Sequence, residues 1–367
     1  MRILQVLHDR ERGGVQTLSA MIEQGLLPHR FAFESAYLYP RPGLSAFSKL
    51  IHVFRLARRI WRGDFDALVA YQSTASILVG AVGSISGCPF RVVHQTCTPG
   101  ETPRLLRWLD KFAGTLGLYS VNIVNSAATW AEFACYPARY RRSLVLIEHG
   151  LDAPAPTTPR DETRRRLDLP PARPILLNVG RLAPQKNQDL LIRALACLPQ
   201  AHLVLAGAGL QIEAYRALAQ TLGVDDRLHM LGPLLGDDIA DLYAAADLFV
   251  FPSTWETFGL AAVEAAMAGM PMVVADLPVL REVLRADGTE PVAFVAPHDL
   301  EGWISAIDSA LAAVPAPRVK AAFARSTSRK YSKQRMIESY LSLFTAQSRL
   351  DRSERTGLQP AAEEARP

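Results

Sequence analysis

Short apolar runs separated by longer amphipathic stretches recur along the chain, and that alternation constrains its fold more than any other feature. In the first half the runs are ILQVL at Ile3, ALVAY at Ala67, RVVHQ at Arg91, VNIVNS at Val121 and LVLIEHG at Leu144. Parallel strands covered by helices on both faces read this way in sequence. After Leu151 the text DAPAPTTPRDETRRRLDLPPARP is dense in proline and charge, which resists continuation of helix or strand. A second series then begins with ILLNVG at Ile175 and runs through HLVLAGAG at His202, LHMLG at Leu228, DLFVFPS at Asp247 and PMVVAD at Pro271. Two successive strand–helix series predict an α/β protein of two Rossmann-like domains facing each other across a cleft. The expected divisions are an amino-terminal domain over residues 1–152, a linker over 153–173 and a carboxyl-terminal domain over 174–330. Apolar spacing in KYSKQRMIESYLSLF predicts a helix over 331–346 that packs back on the amino-terminal domain, and the aperiodic, polar 347–367 reads as a disordered tail.

A length of 367 residues with 49% hydrophobic content lets each domain bury its own core. The net charge of +4 is too small to argue for a nucleic-acid partner, and none is expected. Cys88, Cys97, Cys135 and Cys197 are widely spaced without a CxxC pair, so neither a zinc site nor a disulfide framework is suggested, and a reducing, cytoplasmic compartment is expected. The apolar run after Met1 is too brief for a signal peptide, so the mature chain is expected to start at or near Met1. The longest spanning candidate, Ile77 to Gly87, is broken by glycine and serine, which leaves peripheral membrane contact as the only expected kind.

The most informative segment runs from Asp247 to Val274, DLFVFPSTWETFGLAAVEAAMAGMPMVV. Glu256 and Glu264 are eight positions apart, and on one continuous helix they would not share a face cleanly, so Glu256 is placed in the loop. Thr257, Phe258, Gly259 and Leu260 are then expected to open the helix, with free backbone N–H groups for a phosphate. Alone, the segment would equally suit an alanine-rich core helix with two surface glutamates. It follows a second distinctive string, VGRLAPQKNQDLLIRAL, in which Arg181 and Lys186 come after a predicted strand, where a diphosphate would bind. Taken singly, both cations read as solvated surface charges.

Together the strings resemble the retaining glycosyltransferases of family 4, which have the two-Rossmann GT-B fold, and the resemblance spans nearly the whole chain. Gly13-Gly14, His94, Glu148-His149-Gly150-Leu151-Asp152 and Leu205-Ala206-Gly207-Ala208-Gly209 fall in that family's order. The resemblance implies that Arg181 and Lys186 grip the donor diphosphate, Glu256 contacts hydroxyls of the transferred sugar and Glu264 accepts from the ribose diol. Donor contacts are also implied for Gly14, Gly180, Leu231, Thr257, Phe258, Gly259 and Leu260. Gly14 fits a plain tight turn equally well. His94 is implied to act near the sugar, against the alternative of a hydrogen-bonded structural residue. Two positions depart from the family pattern: His149 stands where asparagine is usual, and Leu277 to Glu282 replaces a small glycine-rich turn.

The residues name no convincing carboxylate nucleophile for double displacement. The resemblance implies instead a front-face transfer of a hexosyl group from a UDP- or GDP-sugar donor to a glycan or lipid-linked acceptor, as in bacterial surface polysaccharide or lipopolysaccharide assembly. No metal or other cofactor is expected, and Asp64-Phe65-Asp66 reads as a polar turn before a strand. From Leu44 to Arg62 a basic amphipathic helix suits either the sheet or an anionic lipid surface at the inner face of the plasma membrane. Rival readings are a sugar-nucleotide epimerase on the same fold and a non-catalytic sugar-nucleotide-binding protein. A nicotinamide oxidoreductase is disfavoured because HDRERGGVQ replaces GxGxxG.

Overall fold

The computed structural model describes residues 1–356 apart from 11, 12, 42, 235, 286, 287 and 289, with backbone only for 348–356. The chain divides into two compact units. The first joins Met1–Gly150 to the chain from Lys333 onward, and the second is Leu151–Ser332.

In unit 1 the strands are β1 (Arg2–Leu7), β2 (Ala32–Tyr37), β3 (Ala67–Tyr71), β4 (Phe90–His94), β5 (Val121–Val124) and β6 (Leu144–Leu146). They form one parallel sheet in the order β2-β1-β3-β4-β5-β6. Every residue of ALVAY in β3 is buried, which is what burial on both faces demands of its sequence. The helices α1 (Gly14–Leu26), α2 (Ala46–Arg62), α3 (Ser73–Ile85) and α4 (Arg104–Leu116) supply crossovers. Ser45 caps α2 by accepting from the Ser48 N–H at 3.2 Å, and α4 stops at Gly117, whose φ of 80° suits glycine. Right-handed crossovers put α2, α3 and α4 on the sheet face opposite α1. The Lys333–Thr356 helix packs against α1. It is helical well past residue 346, so the tail expected from 347 begins no earlier than 357, and residues 357–367 lie outside the described residues.

Unit 2 carries β7 (Ile175–Val179), β8 (His202–Ala206), β9 (Leu228–Gly232), β10 (Leu248–Phe251), β11 (Met272–Ala275) and β12 (Val292–Val295). All are parallel, in the order β12-β11-β10-β7-β8-β9. The segment expected to be a linker, 153–173, is instead built into this unit. Its helix Arg160–Arg166 buries Arg164, which donates to the carbonyls of Ala245, Pro170 and Arg173 and to Asp247 at 2.7 Å. Thr157 and Thr158 donate backbone N–H bonds to Asp241 at 2.7 and 2.9 Å, and the Thr158 side chain together with these N–H groups holds that carboxyl down to about 2.

Candidate active site

Strand order in the second sheet reverses between β7 and β10, which are hydrogen-bonded neighbours. A doubly wound sheet opens a crevice beyond the carboxyl ends of its strands at such a switch point, because the two following connections leave toward opposite faces. The loops after β7 and β10 carry the residues singled out in the sequence. Lys186 ends the short 3-10 turn Pro184–Lys186, and its Nζ is ion-paired with Glu256 Oε1 while lying 4.9 Å from the Phe251 ring centroid. Glu256 is in the loop, as expected.

Backbone bonds hold this pair in place. Thr254 N–H donates to Gln185 O at 2.9 Å, and Gln185 Nε2 returns a bond to Trp255 O at 2.9 Å. Asn187, in the left-handed region at φ 53°, donates to the carbonyls of Pro252 and Pro297. Arg181 is exposed, and its guanidinium reaches Gln185 Oε1 at 3.5 Å. Lys186 and Glu256 are therefore brought together, with Arg181 on the same loop.

The helix after β10 begins at Leu260 and not at Thr257, so Thr257 and Phe258 lie before it. Gly259 caps it at φ 83°, and a Cβ there would meet Leu280 at 2.8 Å. Phe258 is buried edge-on against Tyr331. Glu264, one turn into the helix, accepts from Tyr243 Oη at 3.0 Å, and burial raises its carboxyl pKa. Tyr243 is a residue the sequence reading missed, because a tyrosine on the helix Asp237–Ala245 has no motif to announce it. Gln185 was legible only as a neighbour of Lys186.

Gly180 follows β7, and its carbonyl lies against Gly207 after β8. A Cβ on Gly207 would sit 1.9 Å from that oxygen, so the LAGAG string is required by close backbone approach. Leu231 is on β9, beside β8. In the departing loop, Pro278–Leu284 is a helix, and Arg281 is ion-paired with Asp276.

The remaining predicted residues belong to unit 1. Gly14 is the first residue of α1, behind the extended Gly13, at the β1/β3 switch point of its own sheet. His94 has both ring nitrogens engaged. Nδ1 is 3.2 Å from Ala70 O, Nε2 is 2.9 Å from Tyr340 Oη, and the ring stacks on Tyr71 at 4.4 Å. With Nδ1–H donating and Nε2 accepting the tyrosine proton, the neutral ring is fixed, and burial pushes its pKa down to about 3. In this arrangement both ring nitrogens of His94 have partners, as in the alternative of a hydrogen-bonded structural residue. His149 is likewise buried, accepts from Asn125 Nδ2 at 3.0 Å and is held near about 4. Asp66 accepts from the Arg2 backbone N–H at 2.7 Å, and the Asp64 carbonyl from the Arg2 guanidinium, which ties the turn before β3 to β1.

Two doubly wound parallel sheets, the second with an ion pair at its switch point, define an α/β protein of the two-Rossmann class. Residues 159–322 match the family model described as glycosyl transferases group 1. It is 38% identical over 184 residues to the D-inositol 3-phosphate glycosyltransferase of Mycobacterium sp. (strain JLS), a match covering 48% of this chain and 41% of that one. The chain thus matches less than half the length of that relative. Among solved structures it is similar to Anabaena HepE in complex with UDP-glucose, with a TM-score of 0.78 at 20% identity, over 94% of this chain and 100% of that one. Sucrose-phosphate synthase from Thermosynechococcus elongatus gives a TM-score of 0.75 at 20% identity, over 94% and 99%. These likenesses establish the fold.

Proposed function

We propose that the protein is a retaining glycosyltransferase that moves a hexosyl group from a nucleoside-diphosphate sugar to a glycan or lipid-linked acceptor, at the inner face of the plasma membrane. The observation that carries this reading is the Lys186–Glu256 pair at the switch point between β7 and β10. A fixed ammonium there complements a diphosphate, and the carboxylate beside it accepts from sugar hydroxyls. Arg181 adds a second cation from the same loop, and the N–H groups opening the helix at Leu260 suit a phosphate oxygen. Glu264, held by Tyr243, takes the ribose diol.

In this reading the acceptor oxygen bonds to the anomeric carbon from the side the diphosphate leaves. The anomeric carbon–oxygen bond breaks, and the departing phosphate takes the acceptor proton. The protein supplies position and charge and no nucleophile. His94 has no part in it. No metal is needed for the step, and full turnover in excess chelator is the expected result. The UDP-glucose held by HepE makes UDP-glucose the first probe, with GDP-mannose beside it.

The experiment is a thermal-shift screen of nucleoside-diphosphate sugars, followed by transfer from the stabilising donor to glycan acceptors. A true donor at a hundred times its dissociation constant should add about 2.7 kcal/mol of stability. Failure of every nucleoside-diphosphate sugar to stabilise the protein would remove the reading. Conversion of the donor without any acceptor would move it to the epimerase alternative.

A further inference from the structure

We propose that the layer formed by α2, α3 and α4 is a docking face that seats unit 1 on an anionic phospholipid surface. The inference gives the proposed transferase its place of work, but it stands on its own observations and is tested without donor or acceptor.

On α2 the side chains of Phe47, Leu50, Phe54 and Trp61 are 72%, 65%, 69% and 57% exposed. Their spacing of three, four and seven positions puts them on one stripe of a helix with 3.6 residues per turn. Leu56 and Ile60, on the opposite side, are the positions that meet the core. On α4 the stripe repeats: Leu105, Trp108, Phe112 and Leu116 are 68%, 60%, 51% and 47% exposed, and Trp108 stacks on Phe112 at 5.5 Å. Between these helices α3 packs against both and ends in Ile85, itself 70% exposed. Single exposed apolar residues are ordinary, whereas two parallel stripes on one layer mark a surface that something covers.

Charge selects what covers it. Arg55, Arg58 and Arg62 flank the α2 stripe, with Lys49 over the Tyr39 ring and Arg59 already paired with Glu34, and Arg104, Arg107 and Lys111 flank that of α4. Neither α2 nor α3 contains an acidic residue. The one acid of α4, Asp110, is buried and accepts from Tyr119 and Tyr140 at 3.0 and 2.6 Å. No carboxylate of the three helices therefore faces solvent. A second copy offering the same face would set cation against cation, while an anionic bilayer neutralises the charges and takes the aromatic rings at its interface. Beside the stripe, Arg10, Tyr37, His52, Arg55 and Arg59 line a hollow of about 240 Å³. Among the described residues His52 and Arg55 have no bonding partner there, and the hollow suits the phosphate of one head group.

The test is co-sedimentation of the full chain with vesicles of phosphatidylglycerol and phosphatidylcholine, against phosphatidylcholine alone, at low and high salt. The protein should pellet with the anionic vesicles only and be released as salt rises. Phe54→Ser with Trp108→Ser should abolish pelleting while leaving the melting temperature in place, since both side chains are exposed. Arg58→Glu with Arg62→Glu should weaken binding by more than about 25-fold, at roughly fivefold for each cation near the surface. The proposal is overturned by absence of pelleting, by equal pelleting with neutral vesicles, or by pelleting that survives the stripe substitutions. Sedimentation velocity in which those substitutions dissolve a dimer that does not bind lipid would show the face to be a contact between copies.

Discussion

Lys186 and Glu256, seventy positions apart in the chain, form an ion pair beyond two neighbouring strands at the point where the order of the second sheet reverses. The pair is only 15% and 9% exposed at its two side chains, so each group is held by the other and by the bonds through Gln185. A diphosphate arriving here would compete with Glu256 for the ammonium, and a sugar hydroxyl would compete with Lys186 for the carboxylate.

Lys186→Ala should lower turnover by about 10²- to 10³-fold, the worth of one preorganised donor to developing negative charge. Glu256→Gln keeps the shape of the side chain but ends the ion pair, and should also lower kcat. Steady-state kinetics with the stabilising donor checks both, with thermal unfolding to confirm a folded protein. Near-normal turnover of Lys186→Ala would take that residue out of the chemistry.

Tyr243→Phe removes the hydroxyl that donates to Glu264 and leaves the carboxyl buried with one partner fewer. A hydrogen bond of this kind contributes about 0.5–1.5 kcal/mol, so the donor's KM should rise by roughly 2- to 12-fold with kcat little changed. An equal fall in kcat would place Glu264 in the chemical step and not in ribose binding.

Gly207→Ala should destabilise unit 2 by at least about 3 kcal/mol, because its Cβ would overlap the Gly180 carbonyl and neither backbone can yield cheaply. Gly223→Ala is the comparison: nothing lies near its Cβ, and only the backbone conformation at φ 64° opposes it, at about 1–2 kcal/mol. Urea unfolding of both variants orders the two costs, and equal costs would mean that the close approach is not rigid.

Stability of unit 1 should fall with acid. His94 and His149 are held neutral by burial at about 3 and about 4, below the 6.5 of an unburied histidine. Below 6.5 the unfolded chain therefore binds more protons than the folded one, and stability is lost as pH falls toward 4. The slope for each histidine approaches about 1.4 kcal/mol per pH unit. Hydrogen exchange of unit 1 separates this from unit 2, where the raised carboxyl of Glu264 acts with opposite sign; within unit 1 the buried carboxyl of Asp110, also raised, offsets part of the histidine slope. His149→Asn should remove about half the slope, and a flat profile from 6.5 to 4 would refute the account.

Much of the architecture was legible because both sheets are parallel and buried, so their inner strands are written as unbroken apolar runs. Two of the four edge strands, β2 and β12, were not among those runs, for a physical reason. AFESAY in β2 turns Glu34 toward Arg2 and Arg59, and VAFV in β12 is short and only half-buried. The stretch misread as a linker is folded by Arg164, whose partner Asp247 lies 83 positions away, and no local pattern signals such a bond. At the site, Lys186 and Glu256 stood out through their strings. Tyr243 did not, because its role exists only once two helices meet. The hydrogen bond between His94 and Tyr340 was not legible, because Tyr340 arrives from the far end of the chain.

The return of the Lys333–Thr356 helix to unit 1 imposes an order of assembly. On a growing chain, unit 2 has all of its residues before that helix is made, whereas unit 1 must wait. Until then the faces that receive Phe344 at Phe31 and Phe90, and Ile337 at Gly25, stay bare to water. The half made first is thus the half finished last: when the final residue of the carboxyl-terminal lobe has been made, the amino-terminal one is still unsealed.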